Sequence, residues 1–282
     1  VLARRIVGVL AATALAAATA VLSQPSASAA NGVPQPDHVV VVVMENHSYS
    51  EIIGSNSAPY INSLARSGAN FTQSFAVTHP SEPNYLALFS GSTQGLTDDS
   101  CPHTYSSANL GQELISAGRS FIGYSESMPS DGYTGCTSGK YARKHNPWVN
   151  FTNVPAASNL VFENHWPTDY STLPSVSFVV PNLCDDMHDC SIKTGDTWLK
   201  NNIDGYAQWA KTHNSLLVIT FDEDDSSQNN QIPTVFVGQH VRTGNFGEHI
   251  NHYNVLRTLE DAFGLPYAGQ SANVSPITDV WQ

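Results

Sequence analysis

Five consecutive valines, Val39 to Val43, flanked by His38 and Met44, constrain this chain more than any other stretch. β-Branched side chains favour the pleated backbone, and a run without polar alternation has to be buried on both faces. That combination predicts a central strand of a parallel sheet. Buried strands are also expected at Ser175 to Val180, Leu216 to Phe221 and Thr234 to Val237, with a mixed strand around Phe121 to Tyr124. Helical patterns fall between them, at Pro59 to Arg66, Asn84 to Phe89, Leu110 to Ala117, Asp196 to Trp209 and Tyr253 to Phe263. Alternating strands and helices predict an α/β fold with a mostly parallel central sheet and helices on both faces. Residues 92–109 and 125–172 are rich in Ser, Thr, Asn, Pro and Gly, and read as long loops over that sheet.

In an open α/β sheet ligands bind beyond the carboxyl ends of the strands. Polar residues directly after buried runs are therefore the first candidates for a site. Glu45-Asn46-His47 follows the valine strand, Asp222-Glu223-Asp224-Asp225 follows Phe221, and Asp185, Asp186 and His188 follow Val179-Val180-Pro181. Anions gathered at one rim repel one another unless a cation sits among them. An oxygen-rich set of Glu45, Asn46, Asp222 and Glu223 suits magnesium, calcium or manganese; Asp186 is a further candidate ligand, and His188 and His252, if they join the ligands, would shift the preference toward zinc or iron. A solvated acidic turn explains any one cluster alone, but not three at equivalent positions.

Ser81 lies in Thr78-His79-Pro80-Ser81-Glu82-Pro83-Asn84-Tyr85. Pro83 fits a first helical turn, which puts Ser81 at or beside a helix N-cap, where free N–H groups favour a phosphate oxygen. A plain capping serine has the same local pattern, so the neighbouring acidic clusters decide between the two readings.

The composition restricts the partners. A formal charge of −12 argues against nucleic acid, whose backbone needs clustered Lys and Arg. Arg4 and Arg5, the alanine-rich run from Ile6 to Leu22 and the small-residue site at Ala27-Ser28-Ala29 have the layout of a signal peptide over residues 1–29. An uncleaved anchor is the competing reading of that run. The remainder, residues 30–282, is expected to be one secreted domain without stable membrane insertion. In an oxidising compartment Cys101 is expected to pair with Cys136, and Cys184 with Cys190, because both loops close easily. No CxxC pair supports a zinc-cysteine site instead.

Several segments together resemble the bacterial phosphoesterase family of acid phosphatases and non-haemolytic phospholipases C, within the alkaline-phosphatase-like superfamily. They are Val42 to Tyr49, Thr78 to Tyr85, Lys144 to Trp148, Thr220 to Glu223 and His252 to Asp261, and they run in order along nearly the whole chain. The resemblance implies an alkaline-phosphatase-like fold, a metal held by Glu45, Asn46, Asp222 and Glu223, and Ser81 as nucleophile. It gives Asn84 contact with phosphoryl oxygens. His145, His188 and His252 are the candidates for stabilising those oxygens, and His252 or His188 for protonating the leaving group. Where the family continues Asp-Glu-His-Gly-Gly, this chain has Asp222-Glu223-Asp224-Asp225.

The expected activity is metal-dependent hydrolysis of phosphate monoesters, of the acid phosphatase type, through a phosphoserine. The substrate is a small phosphate ester or a phospholipid head group. A phospholipase C would need an apolar lip, for which Tyr124, Met128, Tyr133, Trp148 and Phe151 are available. A secreted calcium-binding module without turnover would need no hydroxyl between Pro80 and Pro83. A Ser-His-Asp hydrolase is disfavoured because the chain lacks a G-x-S-x-G elbow.

Overall fold

A computed structural model describes residues 1–2 and 30–282 of the chain. Apart from its first two residues, the predicted signal segment lies outside the described residues. Eight strands form the main sheet: β1 (His38–Met44), β2 (Ala69–Phe71), β3 (Phe121–Ser125), β4 (Asn159–Val161), β5 (Val176–Val180), β6 (Ser215–Phe221), β7 (Thr234–Gly238) and β8 (Gly244–Phe246). Their spatial order is β8-β2-β7-β6-β1-β5-β3-β4, so the valine strand lies inside the sheet as expected. Every neighbouring pair is parallel except those made by β7, which runs against β6 and β2. The physical reason lies in the connection: residues 222–233 between β6 and β7 contain no helix, and a parallel return needs a crossover.

The helices are α1 (Tyr49–Ile52), α2 (Pro59–Ser67), α3 (Ser81–Ser90), α4 (Leu110–Ser116), α5 (Phe162–His165), α6 (Ile192–Ala210) and α7 (His252–Phe263). Side chains alternate across a strand, so the valine run feeds two cores at once. Val39, Val41 and Val43 pack with Leu86 and Phe89 of α3 and Leu256 and Leu259 of α7. Val40, Val42 and Met44 pack with Ile61 and Leu64 of α2 and Leu199 and Ile203 of α6. All five valines are buried, each contributing about 1.5 kcal/mol or more of transfer free energy.

Both disulfides are as expected, Cys101–Cys136 and Cys184–Cys190. The first joins the two long loop regions. The second of those regions is less irregular than its composition suggests, since it holds β4, a two-stranded ladder (Thr137–Ser138 with Tyr141–Ala142) and several 3-10 turns. Among the described residues no helix is long and apolar enough to cross a membrane.

Candidate active site

Register builds the site. Met44 pairs with Phe221 across β1 and β6, so Glu45 and Asp222, the next residues, leave the sheet side by side. Asp222 N–H donates to the Met44 carbonyl (3.0 Å), and Glu45 N–H donates to the carbonyl of Asp186 (2.9 Å), in the turn after β5. Three strand ends thereby meet. Asn46 turns the chain away at φ 52°, a conformation Asn tolerates better than most residues, and its N–H donates to Asp222 Oδ1 (3.1 Å).

Ser81 is the first residue of α3, a helix whose ten residues are all buried and which ends at Gly91 in the left-handed region. Its hydroxyl oxygen lies 3.1 Å from Glu45 Oε2 and 3.1 Å from Glu223 Oε1. Two carboxylates from separate parts of the chain thus converge on the hydroxyl of a third segment. Turned with its nitrogen toward the carboxylates, the Asn46 amide reaches Glu223 Oε1 and Glu45 Oε2, each at 3.1 Å.

Glu45 is supported from behind. The Tyr85 hydroxyl donates to its Oε1, and the Tyr85 ring stacks on His145 with centroids 5.0 Å apart. His145 Nε2 lies 3.2 Å from Glu45 Oε1, while its Nδ1 lies 3.3 Å from Asp186 Oδ2. Glu45, His145 and Asp186 can each offer a ligand atom within 4.8 Å of the others, and all three are buried.

Burial, reinforced by Asp222 and Asp186, pushes the Glu45 carboxyl well above the usual range. Burial and then Glu223 do the same to Asp222. Asp186 is pushed up to about 7 and Glu223 is raised, both chiefly by burial. The same desolvation holds His145 well below an ordinary imidazole and His252 down to about 4. Buried acids near one another are costly as anions, and positive charge placed among them would reverse that cost.

The other predicted residues take varied places. Asn84 Oδ1 accepts from Val77 N–H and Thr78 N–H (both 3.0 Å), and its Nδ2 donates to the Thr78 and Pro80 carbonyls. Its amide shapes the approach to Ser81. His252, the first residue of α7, is hydrogen-bonded through Nε2 to the main-chain carbonyl of Asp222 (2.7 Å), beneath the carboxylates. His188 sits at the rim, with Nδ1 2.9 Å from Asp189 Oδ1.

Three site neighbours escaped the sequence reading. His79 Nδ1 lies 2.5 Å from Glu223 Oε2 and its Nε2 3.2 Å from Asp224 Oδ1. Lys144 pairs with Asp99, whose other oxygen accepts from Glu82 N–H beside Ser81. Tyr85 is the third. All three lie within the segments that carry the resemblance, and the signal that could have flagged them was the adjacency of His79 to the Pro80-Ser81 step and of Lys144 to His145.

The profile of the Phosphoesterase family matches residues 55–266. The chain belongs to that family. It is 55% identical over 278 residues to a phosphatidylinositol-3-phosphatase of Mycobacterium tuberculosis, covering 98% of this chain and 93% of that one. A probable acid phosphatase of Kluyveromyces lactis is 29% identical, over 84% of this chain and 61% of its own length. In structure the chain resembles a Vibrio parahaemolyticus protein of the alkaline phosphatase superfamily, with a TM-score of 0.62 at 12% identity, over 88% and 72% of the two chains. At that identity the likeness speaks for the fold, which is α/β and alkaline-phosphatase-like as expected. A member of the phosphoesterase family with phosphatase relatives is a hydrolase acting on phosphoric esters, in place of a calcium-binding module without turnover.

Proposed function

We propose that this chain is a secreted phosphomonoesterase that works through a phosphoserine on Ser81, with a divalent metal held by Glu45, Asn46, Asp222 and Glu223. The convergence of Glu45 Oε2 and Glu223 Oε1 on the Ser81 hydroxyl carries the reading. The donor set fits a metal: Asp222 Oδ2, Asp186 Oδ2 and His145 Nε2 are buried without a hydrogen-bond partner. Oxygen donors favour magnesium, calcium or manganese, and recruitment of His145 with Asp186 would favour zinc or iron. When bound, such a cation lowers the pKa of the serine hydroxyl and offsets the charge of the phosphoryl oxygens.

The chain's own residues supply the rest. Helix α3 aims Ser81 Oγ, whose proton rests against the two glutamates, and the Tyr85 hydroxyl holds Glu45 in place. Attack by Oγ forms the bond to phosphorus as the bond to the alcohol oxygen breaks, and the alcohol leaves with one proton. Water then cleaves the phosphoserine, returning the hydroxyl and releasing phosphate.

Two observations favour a monoester over a phospholipid diester. Of the aromatic and methionine residues available for a lipid lip, Tyr124, Met128, Trp148 and Phe151 are buried as packing. The 55% identical relative is named for a phosphatase of a phosphorylated inositol lipid, which adds such head groups to the candidate substrates. Export accords with two disulfides. Turnover of a chromogenic monoester should exceed that of phosphatidylcholine by orders of magnitude in metal-replete protein. Preferential cleavage of the diester would replace this reading with a phospholipase C.

A further inference from the structure

The proposed site is crowded with carboxylates, yet its substrate is an anion. Glu45, Asp186, Asp222, Glu223 and Asp224 are all buried at the strand ends. The nearby cationic side chains differ in how free they are. Lys140 is committed to Asp189 at the rim. Arg143 is spent on Asn150 and on the carbonyls of Thr134, His103 and Val149. Lys144 has three N–H donors and gives one, to Asp99 Oδ2 at 2.8 Å. Its side chain is 21% exposed, within reach of a ligand entering the site. Its field reaches Glu45, Asp186 and Asp222.

Asp99 shows what this corner accommodates. One of its carboxylate oxygens takes the Lys144 ammonium and the other takes the N–H of Glu82 (2.9 Å), the residue after Ser81. An oxyanion is thus already seated between a lysine and a main-chain N–H, one residue from the nucleophile. A phosphoryl group on its way to Ser81 Oγ presents the same chemistry with more charge.

We propose that Lys144 is the side chain that receives the non-bridging phosphoryl oxygens of the substrate, and that Asp99 holds that ammonium in place until phosphate competes for it. This rests on Ser81 being the attacking group, and it adds a substrate contact that the family resemblance did not supply. Lys144 makes a charge-assisted hydrogen bond to phosphate, while Asp99 is its competitor.

The two members of the pair therefore have opposite effects. In a Ser81→Ala background, which removes turnover and leaves binding, the dissociation constant of inorganic phosphate is measured by calorimetry. Lys144→Met should raise it about ten- to hundredfold, the loss of one charge-assisted bond to an anion. Lys144→Arg should recover most of the affinity. Asp99→Asn, which still accepts from Glu82 N–H, should leave phosphate binding equal or tighter. If the pair were only a structural bridge, both variants would lose the same bond and shift together. Parallel weakening by Lys144→Met and Asp99→Asn, or unchanged binding in Lys144→Met, overturns the proposal. Should Lys144→Met fail to fold, Lys144→Gln carries the same expectation. Turnover surviving in Ser81→Ala alone would instead defeat the nucleophile assignment, whatever Lys144 does.

Discussion

Asp224 stands where the family motif continues with histidine, and the structure gives that aspartate a mechanical task. It is buried, and its Oδ1 accepts from Ser226 N–H (2.7 Å) while its Oδ2 accepts from Gln228 N–H (2.7 Å) and Asn230 N–H (3.0 Å). The same Oδ1 faces His79 Nε2, and His79 in turn holds Glu223. Asp224→Ala removes three acceptor contacts from main-chain donors. Because residues 225–229 are exposed, water can satisfy part of the loss, so about 1 kcal/mol per contact is appropriate, or roughly 3 kcal/mol in all. In a chain of this size that corresponds to a fall in Tm of about 6–12 °C. Activity should fall with it, since Glu223 loses the histidine brace next to Ser81. Asp225 is exposed and contacts only Ser227 Oγ, so Asp225→Asn should stay within about 0.5 kcal/mol of the parent. Paired thermal melts and monoester assays on the two variants decide the matter. Equal effects from Asp224→Ala and Asp225→Asn would refute the idea that Asp224 organises this loop.

Two further expectations concern charge. Asp222→Asn should lose bound divalent metal, measured by elemental analysis, together with nearly all turnover; chelation and dialysis of the parent should do likewise, reversed by one added divalent metal. Full turnover after verified metal removal would contradict the ligand set. Away from the site, burial pushes Glu113 up to about 8, with Glu260 adding to it, and burial pushes Glu260 up to about 7. Both folded-state values lie above the unfolded range, so the stabilisation is complete below about pH 4.5 and is lost as pH rises toward 8. Glu113→Gln should flatten that decline, gaining on the order of 2 kcal/mol relative to the parent at pH 8 in urea titrations. No change in the slope would show that this carboxyl does not titrate as its burial implies.

The sheet was legible because burial leaves a mark on composition: β1, β5 and β6 are apolar on both faces and follow the predicted boundaries to within a residue. β2, β4 and β8 escaped, each only three residues long and carrying Asn or Gly that reads as loop. Reversal of β7 was not legible either, because orientation is set by the connection rather than by the strand's own residues. At the site, Glu45, Asn46, Asp222 and Glu223 were visible as polar residues placed straight after apolar runs. Ser81 needed the resemblance, since a capping serine has the same neighbours. Asn84 and His252 illustrate the remaining gap, because sequence identifies a residue near the chemistry but not the atom its side chain faces. Asn84 spends its amide on the main chain before Ser81, and His252 meets the Asp222 carbonyl from below.

Hydrolysis through Ser81 requires that its Oγ become covalently attached to phosphorus. Acid quenching during turnover of a substrate labelled at phosphorus, followed by peptide mapping, tests this directly. Label is expected on the peptide containing Ser81 and absent in Ser81→Ala, whose kcat should be lower by several orders of magnitude while its melt stays within about 1 kcal/mol of the parent. Label on Thr78 or His79, or a Ser81→Ala enzyme that still turns over at the parent rate, would contradict it.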